Sequence, residues 1–354
     1  MPKNIVVCCD GTGNEYGNEN SNVLRLFGLI VRDGERQVGY YDPGLGTMSG
    51  IPALTKTVRA IDKTLGLAFA KGITSNIEDA YIYLMDRYEP GDRIFLFGFS
   101  RGAYTVRALA AMIHACGLLE KGSENMVPYA SKMFKRPVDP NLRPGFRLTF
   151  SRECKPHFLG VWDTVSSVGW IYDQVKLPYT ANNPDLSVLR HAVSIDERRC
   201  FFRQNLFGKG YAGQDIKEVW FAGVHSDVGG GYPEPESGLA KIPLTWMVRE
   251  AVAAGLLIDE AVYAETLPST SNDTFVAPDP LGPVHESLSG AWRIAEYFPK
   301  RYYNYELGRE TWKIPMGETR RMREDCVVHA SVVERMSGLR YRPPNLPGTY
   351  RVEE

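Results

Sequence analysis

Apolar residues along this chain gather into short runs, each closed by Gly, Asp or Ser: "NIVVCCDG", "QVGYYDPG", "RIFLFGFS", "HFLGVWD" and "EVWFAGVHSD". They are rich in β-branched and aromatic residues and apolar on both faces, the pattern of strands inside a parallel sheet covered by helices. Between them lie segments with helical spacing: "SNIEDAYIYLMDRY", "RGAYTVRALAAMIHACG" and "LTWMVREAVAAGLL". "LRHAVSIDERR" also reads as helix. The alternation predicts an α/β fold with a mostly parallel sheet and helices on both faces.

Two stretches break the rhythm, residues 44–72 with "LGLAFA" and residues 165–190 with "GWIYDQVKLPY". Each is either an insertion capping the carboxyl edge of the sheet, where open α/β folds bind ligands, or an ordinary surface excursion. Beyond residue 255 the chain turns rich in Pro, Ser and Gly. With no repeat or low-complexity tract, the expectation is one domain over residues 1–354, with insertions near 44–72 and 165–190 and an irregular C-terminal segment.

Composition removes several classes of function. A 44% hydrophobic content over 354 residues supplies a sizeable core. Lys and Arg number 41 against 42 Asp and Glu, without like-charge blocks, so no nucleic-acid groove or polybasic anchor is implied. Six scattered cysteines lack a C-x-x-C pair, which speaks against a structural zinc site or a disulfide framework and for a reducing compartment. The first strand follows the amino terminus too closely for a signal peptide, and no apolar stretch approaches the roughly 18 residues of a membrane span. The expectation is a cytoplasmic protein, with export by a signal-independent route left open. No P-loop pattern occurs, and no nucleotide cofactor is expected.

Chemistry enters with "FGFSRGAYTVRALAAM", residues 97–112. Gly98, Ser100 and Gly102 satisfy G-x-S-x-G, a short pattern that carries little weight alone. It gains weight because an apolar run precedes it and a helical segment follows, the order a nucleophile elbow needs. A hydroxyl is a poor nucleophile at neutral pH and requires a base oriented by a third group. His114, His157 and His191 sit inside predicted elements, whereas His225 ends an apolar run and opens "HSDVGGGY". His285 is a weaker candidate, and His329 is the rival for the base. Asp163 ends "HFLGVW" and falls between Ser100 and His225, giving the chain order Ser, acid, His; it is also a reasonable helix or turn cap. Asp227 is expected to brace its loop. For an oxyanion, backbone N–H groups of Arg101 and of Gly11 or Thr12 are the candidates, with Asp10 shaping the loop.

Taken together, "GFSRGAYTVRALA", "FLGVWDTVSSVG", "RHAVSIDERR", "VWFAGVHSDVGGGY" and "VHASVVERM" resemble the α/β-hydrolase family of type VI secretion phospholipase effectors and their uncharacterised single-domain relatives. The resemblance implies a serine ester hydrolase with a Ser-Asp-His triad, an esterase or lipase with phospholipid as substrate in the effectors. It places the nucleophile on Ser100, the acid segment on Asp163 and the "HSDVGGGY" segment on His225 and Asp227. Family effectors often carry a large additional membrane-contacting region that this chain does not show, so membrane toxicity is not implied, and a housekeeping esterase is equally compatible. Transient contact with a membrane surface fits the reading; oligomeric state is not legible.

Two other readings compete. Asp10, Asp163, His225 and Asp227 could gather around a divalent cation in a metal-dependent hydrolase. An inactive hydrolase fold could serve as a binding module. The segment beginning at Trp162, beside Asp163, with Val165, Val168, Trp170, Ile171, Tyr172 and Leu177, either lines an acyl pocket or packs the core beneath the loop.

Overall fold

The computed structural model describes residues 2–11, 17–44, 57–135, 142–165, 169–170, 173–174, 177–304 and 309–354. Eight strands form one sheet: β1 (Asn4–Cys9), β2 (Gln37–Asp42), β3 (Arg93–Phe99), β4 (Pro156–Trp162), β5 (Val188–Ser194), β6 (Asp215–Phe221), β7 (Cys326–His329) and β8 (Tyr350–Glu353). Their spatial order is β8-β7-β6-β5-β4-β3-β1-β2, and every neighbouring pair is parallel. This is the parallel α/β sheet the alternating pattern predicts, and it is consistent with the α/β-hydrolase-like fold the resemblance implies.

The period-two geometry of a strand divides the core in two. Ile5, Val7 and Cys9 of β1 and Leu159 and Val161 of β4 pack on one face, against α2 (Thr57–Arg87) and α3 (Ser100–Cys116). Val6, Cys8, Phe95, Phe97 and Phe158 pack on the other, against α1 (Asn22–Leu29) and α5 (Gly238–Ala253). The short α4 (His225–Gly229) follows β6, and α6 (Ala330–Gly338) follows β7. Strand order reverses at β1, which has β2 on one side and β3 on the other. The carboxyl ends of β1 and β3 therefore flank a topological switch point, where open α/β sheets form a ligand crevice.

Three expectations change. "LRHAVS" is the central strand β5, not helix. Its polar residues are satisfied sideways: Arg190 pairs with Glu250 and Asp215, and His191 bonds Glu218 through Nδ1 and accepts the Thr164 amide at Nε2. Second, α2 begins at Thr57, so part of the 44–72 stretch is helix, while residues 45–56 lie outside the described residues. Third, the C-terminal segment is less irregular than expected, because β7 and β8 extend the sheet. Among the described residues no helix is long and apolar enough to cross a membrane.

Candidate active site

Three strand ends bring the predicted residues together. Ser100 follows β3, Asp163 follows β4, and His225 lies a few residues beyond β6. The strand-to-helix turn at Ser100 is abrupt: Phe99 is extended, while Ser100 has φ 58°, in the left-handed region that non-glycine residues rarely adopt. Such a turn leaves no room two residues to either side. A Cβ on Gly98 would lie 2.6 Å from the Gly102 carbonyl oxygen, and one on Gly102 would lie 2.1 Å from that of Cys9. Those contacts explain the two glycines better than a preference for turns does.

The side chains form a continuous relay. His225 Nε2 stands 2.8 Å from Ser100 Oγ, and His225 Nδ1 stands 2.5 Å from Asp163 Oδ2. With a carboxylate facing Nδ1, that nitrogen carries the hydrogen and donates, which leaves Nε2 as acceptor for the serine hydroxyl. The imidazole is held between Phe99 and Phe202, at centroid distances of 4.6 and 4.8 Å. Burial pushes its proton affinity down, and the hydrogen bond and charge of Asp163 only partly reverse this.

Asp163 is fully buried and also sits at positive φ, 41°. Its oxygens are fully used. Oδ1 accepts from the Ser194 amide at 2.9 Å and from Arg320 Nη1 at 2.5 Å, while Oδ2 accepts from His225 and from Arg320 Nη2 at 2.9 Å. Burial alone would raise its proton affinity, but the charge of Arg320, with the hydrogen bond and charge of His225, holds it below the usual carboxylate range. Two left-handed residues in contact with one histidine are a local cost of the kind that clusters at functional sites.

A second buried carboxylate backs the histidine. Glu197 Oε2 accepts the His225 backbone amide at 3.2 Å, and Arg199 grips both oxygens of Glu197 at 3.0 and 2.8 Å while lying over the Phe202 ring. Asp227 takes a separate role. It accepts the Val224 amide and pairs with His285 Nδ1 at 2.5 Å, which fastens the turn that starts α4. Asp10 likewise holds its loop, accepting from the Gly11 amide at 2.6 Å, from Tyr41 at 2.8 Å and from Ser21. Gly11 therefore gives its N–H to Asp10 rather than to the crevice, a correction to the expectation that it serves an oxyanion; Thr12 lies outside the described residues. Arg101 is the second residue of α3, in the first turn, where backbone amides are not used by the helix's own ladder.

The remaining candidates separate. His329 caps α6, stacks on Phe221 and bonds Ser331; burial pushes it down to about 4. Its strand lies four places from β3 in the sheet, which at about 4.8 Å per strand puts it far from Ser100. His114 pairs with Asp185 and His157 with the Ala254 carbonyl. Among the described residues no three His, Cys, Asp or Glu side chains converge as a metal site, and the four acid and histidine residues weighed for a cation are committed to the partners above. Trp162 packs the core: it is fully buried, lies beside Phe97 and donates Nε1 to the Pro243 carbonyl at 3.3 Å. Val165 and Leu177 are buried too, whereas Val168, Ile171, Tyr172 and the Trp170 side chain lie outside the described residues.

Sequence reasoning assigned no role to Arg320, Glu197, Arg199 or Ser194. Glu197 and Arg199 stand in the quoted "SIDERR" but were obscured by its helical reading; "ETRRMRED", which carries Arg320, looks like a solvated loop of mixed charge.

Comparison with known proteins places this geometry in context. An uncharacterized protein of Saccharomyces cerevisiae is 40% identical over 224 residues, covering 58% of this chain and 33% of its own length. The crystal structure of an uncharacterized protein from Pseudomonas aeruginosa aligns with a TM-score of 0.45 at 18% identity, over 78% of this chain and 49% of that one. The Tle1 effector bound to the VgrG spike of the type 6 secretion system aligns with a TM-score of 0.32 at 19% identity, over 68% and 53%. The chain thus spans a third to about half of these relatives' lengths. The model of the T6SS phospholipase effector Tle1-like catalytic domain matches residues 3–250, and the chain belongs to that family.

Proposed function

We propose that this chain is a serine ester hydrolase of the lipase or phospholipase type, working through Ser100, His225 and Asp163. The observation that carries the reading is the relay itself, Ser100 Oγ to His225 Nε2 at 2.8 Å and His225 Nδ1 to Asp163 at 2.5 Å, with the serine held at φ 58° at a sheet switch point. Membership in a phospholipase catalytic-domain family supports the reaction class and a lipid ester as substrate.

In the proposed reaction Ser100 Oγ attacks the ester carbonyl carbon as its proton passes to His225 Nε2. Asp163 stays ionised and stabilises the imidazolium. The Arg101 amide, at the start of α3, is suited to the developing oxyanion. Collapse breaks the carbon–oxygen bond to the alcohol, which leaves with the proton from His225. Water, deprotonated by the same nitrogen, then releases the acyl group from Ser100. A lipid would be met at a surface, and exposed Trp292, Ile294, Tyr297 and Phe298 suit that encounter: Trp292 edges onto Phe202 at 5.5 Å, and Phe202 onto His225.

Labelling with a fluorophosphonate, with and without a chelator, tests the mechanism. Wild type should be captured at Ser100 in both conditions. Ser100→Ala should lose labelling and several orders of magnitude in nitrophenyl ester turnover while melting normally. Near wild-type turnover in Ser100→Ala, or activity abolished by the chelator, removes the serine mechanism.

A further inference from the structure

We propose that Arg320 is a positioning residue of this centre, fixing both oxygens of Asp163 and, through its charge, limiting how strongly that carboxylate holds a proton on His225. The inference rests on the serine mechanism proposed above. Arg320 lies 70 residues beyond the region matched by the family model, so the chain outside that region completes the acid's surroundings.

The geometry is two-pronged. Nη1 meets Oδ1 and Nη2 meets Oδ2, the fork arrangement that fixes a carboxylate in plane and in rotation. Nη1 also donates to Ser194 Oγ at 2.7 Å and to the Ser194 carbonyl at 3.1 Å, and Nη2 donates to the Phe202 carbonyl. One guanidinium thus joins the acid, the end of β5 and the aromatic residue that holds the imidazole. The side chain is 3% exposed, and among the described residues its Nε has no partner. A buried arginine with an unsatisfied nitrogen is costly, and a neutral side chain of similar size would fill the space without that cost. What a neutral residue would not supply is the charge.

That charge has a definite consequence for the base. A buried carboxylate with no counter-ion would attract the imidazolium proton more strongly, leaving a larger share of His225 protonated and unable to accept from Ser100. A cation on the far side of the carboxylate opposes this. The other groups around His225 are Glu197 and Arg199, which pair with each other, and Asp227 on its own helix, which pairs with His285. Arg320 is thus the cation bonded to the carboxylate that His225 itself uses.

Three variants test this: Arg320→Met, which removes charge and fork; Arg320→Lys, which keeps the charge; and Arg320→Ala with added ethylguanidinium. Arg320→Met should lower kcat about 100-fold with little change in KM, and shift the acid limb of the kcat/KM profile up by about one pH unit. Arg320→Lys should lose about tenfold in kcat and keep the limb near its wild-type position. Ethylguanidinium should restore rate and limb to Arg320→Ala. A wild-type acid limb in folded Arg320→Met, or rate losses that merely follow the melting temperatures, overturns the proposal. Should Arg320→Met fail to fold, wild-type kcat in Arg320→Lys, or a limb displaced as the charge is retained, overturns it instead. Absence of fluorophosphonate capture in wild type would remove the serine mechanism itself, whereas capture with indifferent Arg320 variants removes this inference alone.

Discussion

Gly102→Ala isolates the packing that holds the serine in place. The added Cβ would lie 2.1 Å from the Cys9 carbonyl oxygen and 2.5 Å from that of Asp10, both backbone atoms at the end of β1. Neither can rotate away as a side-chain tip could, so β1 and the first turn of α3 must separate by roughly 1 Å to reach ordinary contact. Overpacking a tight core typically costs about 1–3 kcal/mol, and a clash with two carbonyls belongs at the upper end or above it. At roughly 2–4 °C per kcal/mol for a large domain, the melting temperature should fall by about 6–12 °C. The same displacement moves Ser100 relative to His225, and a misplacement of about 1 Å costs on the order of 100-fold in rate. Gly28→Ala is the control: it lies within α1, nothing stands within 4 Å of its added Cβ, and the helix should gain about 0.5–1 kcal/mol with activity unchanged. Thermal melts, ester turnover and fluorophosphonate labelling rates on both variants decide the matter. A Gly102→Ala protein that melts and labels like wild type would mean that the elbow does not press against β1 as described.

The two late histidines separate by mutation. His225→Ala should lose as much turnover as Ser100→Ala, the double variant should be no worse, and His329→Ala should keep most activity; a deeper loss from folded His329→Ala would transfer the base role. The pH profile carries a further expectation. Burial lowers the proton affinity of His225, and the reaction needs it neutral, so the acid limb of kcat/KM should fall below the usual histidine value of about 6.5. A limb at or above that value in wild type would show that Asp163 outweighs burial.

Five sheet strands were legible because each is an apolar run closed by a turn residue, and strands covered on both faces need nothing else. β5 was not. Arg190 and His191 interrupt its apolar run and mimic the polar face of a helix, yet both are buried and satisfied by Glu250, Asp215, Glu218 and Thr164, partners distant in sequence. β7 is only four residues long, and β8 has two exposed positions of four, so neither presents a clear period. Ser100, Asp163 and His225 were legible for a local reason, since each follows the end of a readable strand. Arg320 has no such marker. Arg320, Arg321 and Arg323 stand almost side by side, and which of them turns inward depends on a carboxylate over 150 residues earlier.

The buried charges around His225 also bear on what the centre can accept. Asp163 with Arg320 and Glu197 with Arg199 are two ion pairs, each of net zero charge, flanking an imidazole whose proton affinity burial lowers. Burying such pairs costs desolvation that their attraction only partly offsets, so stability alone gives weak reason to keep them. In the proposed reaction, the proton moving to His225 creates one positive charge as the substrate oxygen gains one negative charge. The two pairs are already oriented and need not reorganise as those charges appear, which is where preorganised dipoles and ions act most strongly. A substrate bringing a further fixed charge next to the scissile carbonyl would not find its match in Arg320 or Arg199, because both are engaged by carboxylates. Under the proposed mechanism the two pairs therefore add no free charge of their own at the scissile carbonyl, and their contribution is to the charge separation between His225 and the substrate oxygen.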